Sequence, residues 1–322
     1  MKKRRLVSLP HIVHVGYHKT ASTWLQVCVF PHLAGVRYGE PALRQLVANL
    51  ATARDGQFFA ATLRSALREV AQLPGGRALL SDEGLSGSLW AGYGSGPRNA
   101  RRLHTVVPGA QIILFVRRQD EMLRSIYAQY VNEGGTRSLR DFVSGREIEG
   151  SRFSLLHLEY DHLVDCYVDL FGHGRVWVVP YEHLRARPDR FLGELCDVLE
   201  TDLTRPVSRS RQNRSLSPPT LRFLRAWNRL FRASRFNSDP LVAALPGGSR
   251  VRALLQNRVD PVVRHAAWDP SRKRDAAALA ELAAGFAESN QRLQRFCSHS
   301  LAALGYPLPR VARAWAASAA AE

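Results

Sequence analysis

A short polar loop near the start of the chain carries the residue types that bind phosphate. The loop runs Gly16-Tyr17-His18-Lys19-Thr20-Ala21-Ser22-Thr23-Trp24 and follows the apolar run Ile12–Val15. A strand before the loop and a helix after it would aim unpaired N–H groups and the positive end of the helix dipole at an anion. Lys19 adds a mobile cation, and Ser22 and Thr23 add hydroxyl donors. The alternative is a plain strand–helix turn in which Ser22 caps the helix.

The loop is not a Walker A motif. That motif, G-x-x-x-x-G-K-[ST], needs a glycine directly before the lysine, whereas His18 precedes Lys19 here. The difference counts against a small-molecule kinase that uses ATP and Mg²⁺, which is the first alternative among enzymes.

An arginine and a serine after a later apolar run could hold a second phosphate. Arg117 directly follows Ile112–Val116, and Ser125 stands eight residues further on. A guanidinium contacts phosphate through two parallel N–H groups, and a hydroxyl adds another donor. The alternative is a surface ion pair in which Asp120 or Glu121 neutralises the arginine.

Two carboxylates and a tyrosine stand at the ends of two further apolar runs. Asp82 and Glu83 follow Ala78–Leu80, and Tyr181 follows Val176–Val179. A carboxylate at such a place could act as general base if it reaches the proton that it removes. Helix capping is the alternative for Asp82, and packing is the alternative for a nucleotide contact by Tyr181.

The four apolar runs predict buried strands, since each is too short for a helix and is bounded by polar or turn residues. Helical patterns separate them and cover Thr23–Phe30, Asp120–Asn132, Leu155–Leu170 and Pro188–Leu199. Strands that alternate with helices predict an α/β fold, a three-layer parallel sheet flanked by helices. Ligands bind at the carboxyl ends of such strands, so we expect the polar segments to meet there.

The C-terminal third lacks strand patterns. We expect a single domain with an α/β nucleotide-binding core over 1–200, a mainly helical portion over 201–311 and a flexible tail over 312–322. Ala276–Gln294 is predicted to form one helix. A further helix would place four arginines on one face and three apolar residues on the other: Arg222, Arg225, Arg229 and Arg232 against Leu224, Trp227 and Phe231. We favour a solvated surface for the basic face over a site for an anionic acceptor or a membrane.

The composition favours anionic partners. The chain of 322 residues has 45 Lys and Arg against 28 Asp and Glu, a formal net charge of +17. Nucleic acid, anionic lipid, acidic glycan and a polyphosphate nucleotide all suit that charge, and a nucleic-acid-binding protein is the second, less favoured alternative. The four cysteines form no C-x-x-C pair, which argues against metal and disulfide frameworks.

The sequence shows neither an export signal nor an apolar run of the roughly 18–20 residues that span a bilayer. We therefore expect a protein without a transmembrane segment, located in the cytoplasm. The alternative is peripheral attachment to the inner membrane, which the basic helix would support.

These motifs in this order resemble those of sulfotransferases that use 3′-phosphoadenosine 5′-phosphosulfate (PAPS). Gly16–Trp24 is similar to the family's 5′-phosphosulfate loop, written P-K-x-G-T-T-W or, in bacterial members, G-Y-H-K-T-G-T-T. Arg117 and Ser125 fit the spacing of the 3′-phosphate motif, and Arg118 does not. Weaker similarity extends to Ser81–Leu85, Tyr181–Leu184, Asn290–Leu293 and Gly305–Pro307.

The resemblance implies a P-loop-like sulfotransferase fold and a transferase of the EC 2.8.2 type, which uses PAPS, releases adenosine 3′,5′-bisphosphate (PAP) and needs no metal. It implies that Lys19 contacts the bridging oxygen and the 5′-phosphate, and that Trp24 lies against adenine. Arg117 and Ser125 would hold the 3′-phosphate, and Tyr181 would contact the nucleotide. The other loop residues expected at the cofactor are His18, Thr20, Ala21, Ser22 and Thr23.

Two departures from the family's pattern concern the cofactor. Ala21 stands where the family has glycine, and its methyl group would matter if the backbone there needs positive φ. A member that binds nucleotide without catalysis is therefore a further alternative. The family's late R-K-G motif is absent as written, and Arg209, Arg211 or Arg214 would replace it.

The general base and the acceptor are less constrained. Cytosolic members have a histidine just after the second strand, and Glu83 stands at the comparable place. Glu83 is therefore the expected base, ahead of Glu40, His18 and His104. The resemblance implies an acceptor hydroxyl on a glycan, a lipid-linked sugar or a small metabolite, without choosing among them.

Overall fold

The protein is built around a five-stranded parallel sheet. The computed structural model describes residues 10–52, 59, 63–65, 67–68, 77–92, 94–144, 148–208, 216–242, 258, 260 and 270–309. The strands are β1 (Ile12–Gly16), β2 (Val36–Arg37), β3 (Arg77–Asp82), β4 (Gln111–Val116) and β5 (Val176–Pro180). Their order is β2-β3-β1-β4-β5, and each neighbouring pair is parallel. The four predicted strands are confirmed, and β2 is a short edge strand that the sequence analysis missed.

The strand order reverses around β1. The chain passes from β1 to β2 and β3 on one side and then crosses to β4 and β5 on the other side. The register pairs Val15 with Asp82 on β3 and Gly16 with Phe115 on β4. The carboxyl ends of β1, β3 and β4 therefore open onto one crevice, the usual ligand site of such sheets.

Helices cover both faces of the sheet, as the α/β prediction required. The first helical run starts as α1 (Ser22–Trp24) and continues as a π-helix (Leu25–Val29) and a 3₁₀ turn (Phe30–His32). The helices whose bounds the structure describes up to the end of the sheet region include α2 (Pro41–Thr52), α3 (Gly96–Val106), α4 (Gln119–Asn132), α5 (Leu139–Val143), α6 (Tyr160–Phe171), α7 (Tyr181–Ala186) and α8 (Pro188–Leu199). Further 3₁₀ turns lie at Glu83–Ser86, Leu89–Ala91, Leu155–Leu158 and His173–Arg175.

The core consists of two apolar layers, one on each face of the sheet. Side chains alternate across a strand, so Val13 and Val15 of β1 face one layer and Ile12 faces the other. The first layer packs the sheet against α2, α3 and α6. The second packs it against the run that follows α1 and against α8. Burial on both faces explains why the strands lack polar alternation.

The C-terminal portion contains α9 (Pro218–Phe231), α10 (Pro270–Ala284) and α11 (Ala287–Gln294) among the described residues. The prediction of one helix over Ala276–Gln294 is wrong, because the chain turns at Gly285 and Phe286 between α10 and α11. Ser289 and Arg292 of α11 bind the buried carboxylate of Asp161 on α6. This docking anchors α11 on α6.

The face that the basic helix α9 buries coincides only in part with the predicted one. Its buried residues include Leu221, Leu224 and Asn228, and Asn228 donates to the carbonyl oxygens of Val131 and Gly135 at 2.7 and 3.0 Å. Trp227 and Phe231 are only half-buried, so the predicted apolar face is partly wrong.

Two of the predicted arginines of α9 dock on α4. Arg225 donates to the hydroxyl of Tyr127 at 3.4 Å, and Arg232 donates to the carbonyl oxygen of Asn132 at 2.8 Å. The four arginines therefore do not form one solvated stripe. No helix among the described residues is long and apolar enough to cross a membrane. The predicted tail over 312–322 lies outside the described residues.

Candidate functional site

The loop between β1 and α1, here called the Lys19 loop (Gly16–Trp24), has a strained backbone. Of the three non-glycine residues with positive φ among the described residues, two lie in it: Lys19 at 70° and Ala21 at 67°. The left-handed region costs an L-residue roughly 1–2 kcal/mol. Ala21 therefore occupies a conformation that favours glycine. Strain of this kind is often concentrated at functional sites.

Close packing holds the loop on the strand end. A side chain at Gly16 would place its Cβ 2.7 Å from Oγ of Ser22, a distance that real Cβ atoms essentially never show. The hydroxyl of Thr20 donates to the carbonyl oxygen of Tyr17 at 2.6 Å. That bond engages the Thr20 side chain within the loop.

Glu83 lies beside Lys19 and Ser22. Burial raises the pKa of Glu83, while the nearby Ser22 hydroxyl and the charge of Lys19 lower it and the Asp82 charge raises it further. Ser22 is 1% exposed, and its Oγ is buried at the start of α1 without a hydrogen-bond partner in the described part of the chain. The structure thus brings the cation, the hydroxyl and the expected base together at the carboxyl ends of β1 and β3.

The neighbouring carboxylate has a structural role. Oδ1 of Asp82 accepts a hydrogen bond from the backbone N–H of Gly84 at 2.6 Å, which is the capping alternative of the sequence analysis. The turn that carries Glu83 is also tied to the loop, because the hydroxyl of Ser86 donates to the carbonyl oxygen of Gly16 at 3.2 Å. These bonds leave Glu83 as the carboxylate of this turn that faces Lys19.

Arg117 joins the end of β4 to the Lys19 loop. Its guanidinium donates to the carbonyl oxygen of Lys19 at 2.9 Å and lies 3.3 Å from a carboxylate oxygen of Glu121. It also stacks over the ring of Tyr181 at 4.8 Å from the ring centre. The side chain is 13% exposed, and its Nε is buried without a hydrogen-bond acceptor in the described part of the chain. A buried donor without an acceptor suits an anionic ligand.

Arg118 is held by two other acidic residues, Asp120 and Glu182. Its guanidinium binds both carboxylate oxygens of Asp120, at 2.6 and 2.9 Å, and its backbone N–H donates to Glu182 at 3.1 Å. Of the two arginines, Arg117 is therefore the one that contacts the Lys19 loop. Ser125 lies half-buried on α4.

The end of the Lys19 loop contacts the segment in which a replacement for the family's R-K-G motif is expected. Nε1 of Trp24 donates to the carbonyl oxygen of Ser208 at 2.9 Å, and Thr23 is exposed. The candidates for that motif, Arg209, Arg211 and Arg214, lie outside the described residues.

The other candidate bases occupy different environments. Glu40 forms an ion pair with Arg37 at 2.7 Å. Burial, with the charge of Lys19, lowers the pKa of His18 to about 4, so His18 is neutral and weakly basic near pH 7. The ring of His104 packs edge-on against Phe171, 5.3 Å between ring centres.

His14, for which the sequence predicted no role, lies beneath the loop. It is 0% exposed, and Nδ1 lies 2.8 Å from the Ser81 hydroxyl. Burial lowers its pKa to about 3, so it is uncharged. The His14 ring also packs closely against Gly16. A Cβ atom added to Gly16 would lie 3.1 Å from Cε1 of His14, which is closer than most real Cβ contacts. The signal in the sequence was a lone histidine inside an apolar strand.

Comparison with known proteins connects this site to one family. A sequence model described as the sulfotransferase family matches residues 18–205, more than half of the 322-residue chain. The match contains Lys19, Glu83, Arg117 and Tyr181. No match was found among curated proteins.

Three solved structures are similar at low identity. A sulfotransferase from Alicyclobacillus acidocaldarius has 19% identity and a TM-score of 0.46, over 69% of this chain and 94% of that chain. The sulfotransferase domain of the Synechococcus PCC 7002 olefin synthase has 13% identity and a TM-score of 0.40, over 85% and 94%. A mouse sulfotransferase complexed with PAP has 14% identity and a TM-score of 0.37, over 84% and 82%.

Proposed function

The chain belongs to the sulfotransferase family, and we propose that it moves a sulfuryl group from PAPS to a hydroxyl of an acceptor. The observation that carries this proposal is the meeting of Lys19, Ser22 and Glu83 at the carboxyl end of β1, next to Arg117. A cation, a hydroxyl and a carboxylate at one point supply charge stabilisation, anchoring and proton removal for one transfer.

The residues at the strand ends suit a nucleotide with two phosphorylated positions. Lys19, Ser22 and the loop N–H groups would hold the 5′-phosphosulfate. Arg117 would hold the 3′-phosphate, with its buried Nε as one donor and the hydroxyl of Ser125 as a further partner. When bound, PAPS supplies the sulfuryl group, and PAP is the nucleotide product.

Lys19 is proposed to act on the transition state. Negative charge develops on the leaving phosphate oxygen as the sulfuryl group departs, and a fixed cation there is most effective when little water surrounds it. The backbone of Lys19 is held by Arg117 through the carbonyl oxygen. The Lys19 side chain therefore extends from an anchored backbone, which limits the reorganisation needed to bring its ammonium to that oxygen.

Glu83 is proposed to remove the acceptor proton. A base works best when its pKa lies near the working pH, and burial moves the pKa of Glu83 upward, in that direction. The hydroxyl of Ser22 and the charge of Lys19 keep part of the ionised form stable. Glu83 can then accept a proton at neutral pH, and its raised pKa makes it a stronger base than a fully solvated carboxylate.

The proposed acceptors are glycans, lipid-linked sugars and small hydroxyl metabolites. The test is to incubate the protein with PAPS and a panel of these three classes and to measure PAP by chromatography. We expect PAP to form with at least one acceptor, without added Mg²⁺, and to be lost in Lys19→Ala. Consumption of ATP with Mg²⁺, and no PAP from any acceptor, would instead favour the kinase alternative.

A further inference from the structure

Three side chains of the kinds that bind metals meet beside the end of β5. His183 lies on α7, Glu194 on α8 and His299 in the segment after α11. Nε2 of His183 is 2.8 Å from Oε2 of Glu194, and Nε2 of His299 is 3.2 Å from the same oxygen. The ligand atoms of all three lie within 4.8 Å of one another. We call this group the histidine–glutamate cluster.

We propose that the histidine–glutamate cluster binds one divalent transition-metal ion, with Zn²⁺ the ion that fits its ligands best. Two imidazole nitrogens and one carboxylate oxygen are a set that zinc accepts, with water in the fourth position. An ion about 2.0–2.2 Å from each ligand atom would hold tetrahedral ligands roughly 3.3 Å apart. The observed separations of 2.8 and 3.2 Å are close to that value.

The position of His299 is fixed before any ion binds. The side-chain amide of Gln294 donates to the carbonyl oxygens of Cys297 and His299 at 3.2 and 3.1 Å. Its oxygen accepts from the N–H of Leu301 at 2.7 Å, so one side chain braces both sides of the turn. Nδ1 of His299 lies 3.2 Å from the Ser298 hydroxyl. Such a partner on one ring nitrogen orients the other toward a metal.

The remaining two ligands are also held. The side chain of His183 is 6% exposed, so its ring has little freedom. Arg190 donates to Oε1 of Glu194 at 2.9 Å, which leaves Oε2 to face the two imidazoles. Hydrogen bonds to the second oxygen of a ligating carboxylate are a usual feature of metal sites.

The place of the cluster indicates a structural role for the ion. An ion there would bind the segment after α11 to α7 and α8, next to a second tie in which the Tyr306 hydroxyl donates to Glu182 at 2.7 Å. The same helix α7 begins with Tyr181, which lies under Arg117. The expected consequence is a more stable C-terminal segment, with no part in the chemical step.

The test uses the full chain without a histidine tag, freed of metal by a chelator that is then removed. We expect calorimetric titration with ZnCl₂ to show one ion per chain and MgCl₂ to show none, since magnesium prefers oxygen ligands. At about a hundredfold excess over the dissociation constant, Zn²⁺ should raise Tm by roughly 3–6 °C.

Three variants separate the cluster from chance binding. His299→Ala and Glu194→Gln should lose the ion and the rise in Tm while remaining folded by circular dichroism. His162→Ala is the matched control, because His162 forms an exposed pair with Glu159 at 3.0 Å outside the cluster, and it should behave as the unmodified chain. Absence of Zn²⁺ binding, or equal binding and Tm shift in His299→Ala, would overturn the proposal.

Discussion

The Lys19 loop and the histidine–glutamate cluster place reactive side chains in opposite ways. The loop is one stretch of nine residues with two L-residues in the left-handed region. The cluster takes its residues from positions 183, 194 and 299, two of them on regular helices. In the first region local backbone geometry sets the chemistry, and in the second tertiary packing sets it.

This difference predicts how each region responds to change. Substitutions in the Lys19 loop and its neighbours should alter catalysis while the fold persists. The core is stabilised by side chains of the strands and helices on both faces of the sheet. Substitutions in the cluster should alter stability and leave the chemical step unchanged.

The largest effect is expected for Glu83→Gln. Loss of a general base typically costs about 10²–10⁴ in rate, and glutamine keeps the shape of the side chain. Steady-state turnover of PAPS measures the loss. The matched control is Asp82→Asn, which keeps a cap oxygen for Gly84 and should retain most of the activity. A Glu83→Gln enzyme with unchanged turnover would move the role of base elsewhere.

Glu83 also gives a prediction for pH. Its pKa is raised, so the ionised side chain costs folding free energy above that pKa, and the cost vanishes at low pH. Glu83→Gln should therefore melt at a higher temperature than the unmodified chain at pH 7, with the difference gone below about pH 4. Activity of the unmodified chain should fall as the pH drops through the raised pKa. A Tm of Glu83→Gln below that of the unmodified chain at pH 7 would contradict this account.

Lys19→Ala should reduce turnover by about 10²–10³, since it removes one donor to the developing charge. Zn²⁺ binding at the cluster should be unaffected, because the two regions are built independently. Parallel measurement of turnover and of zinc titration checks both statements. Loss of both turnover and zinc binding in Lys19→Ala would indicate that the loop supports the fold as a whole.

Ser125→Ala should have a smaller effect. A hydroxyl that hydrogen-bonds a charged phosphate contributes roughly 1.5–3 kcal/mol, so PAP affinity should fall by about tenfold or somewhat more. The binding of a nucleotide without a 3′-phosphate should stay the same. An equal fall in affinity for PAP and for the nucleotide without a 3′-phosphate would mean that Ser125 affects the structure of α4 and does not contact the 3′-phosphate.

The smallest effect is expected for Ala21→Gly. Glycine removes the left-handed penalty at φ 67°, offset by its greater freedom in the unfolded chain. The net gain should be about 0.5–1 kcal/mol, a rise in Tm of roughly 2 °C. Ala226→Gly, at an exposed place in α9, should lower Tm instead. A lower Tm for Ala21→Gly would mean that the strain is relieved by other contacts.

The sheet and most of its helices could be predicted because they bury continuous apolar runs. The ends of the four predicted strands agree with the structure to within two residues. The edge strand β2 has only two residues, too few for any pattern. The break at Gly285 was missed because the alanine-rich pattern continues through it, while the docking of α11 on Asp161 is a tertiary contact with no local signal.

The positions of three candidate site residues could be predicted because they stand at the ends of predicted strands. Glu83 and Arg117 directly follow β3 and β4, and Lys19 lies in the loop that follows β1, so the strand order brings all three to one edge of the sheet. The cluster could not be foreseen, since His299 stands 116 positions after His183. One local signal existed: His183 stands where the family's Y-E-D-L segment has aspartate.

The most direct test of the proposed function is calorimetric titration with PAP and with ADP, using the unmodified chain, Arg117→Ala and Arg118→Ala. We predict micromolar binding of PAP and weaker binding of ADP. Arg117→Ala should lose about 10–100-fold in PAP affinity, and Arg118→Ala should lose little because Asp120 already engages it. Equal affinity for PAP and ADP, or unchanged PAP binding in Arg117→Ala, would contradict a site for a 3′-phosphorylated nucleotide.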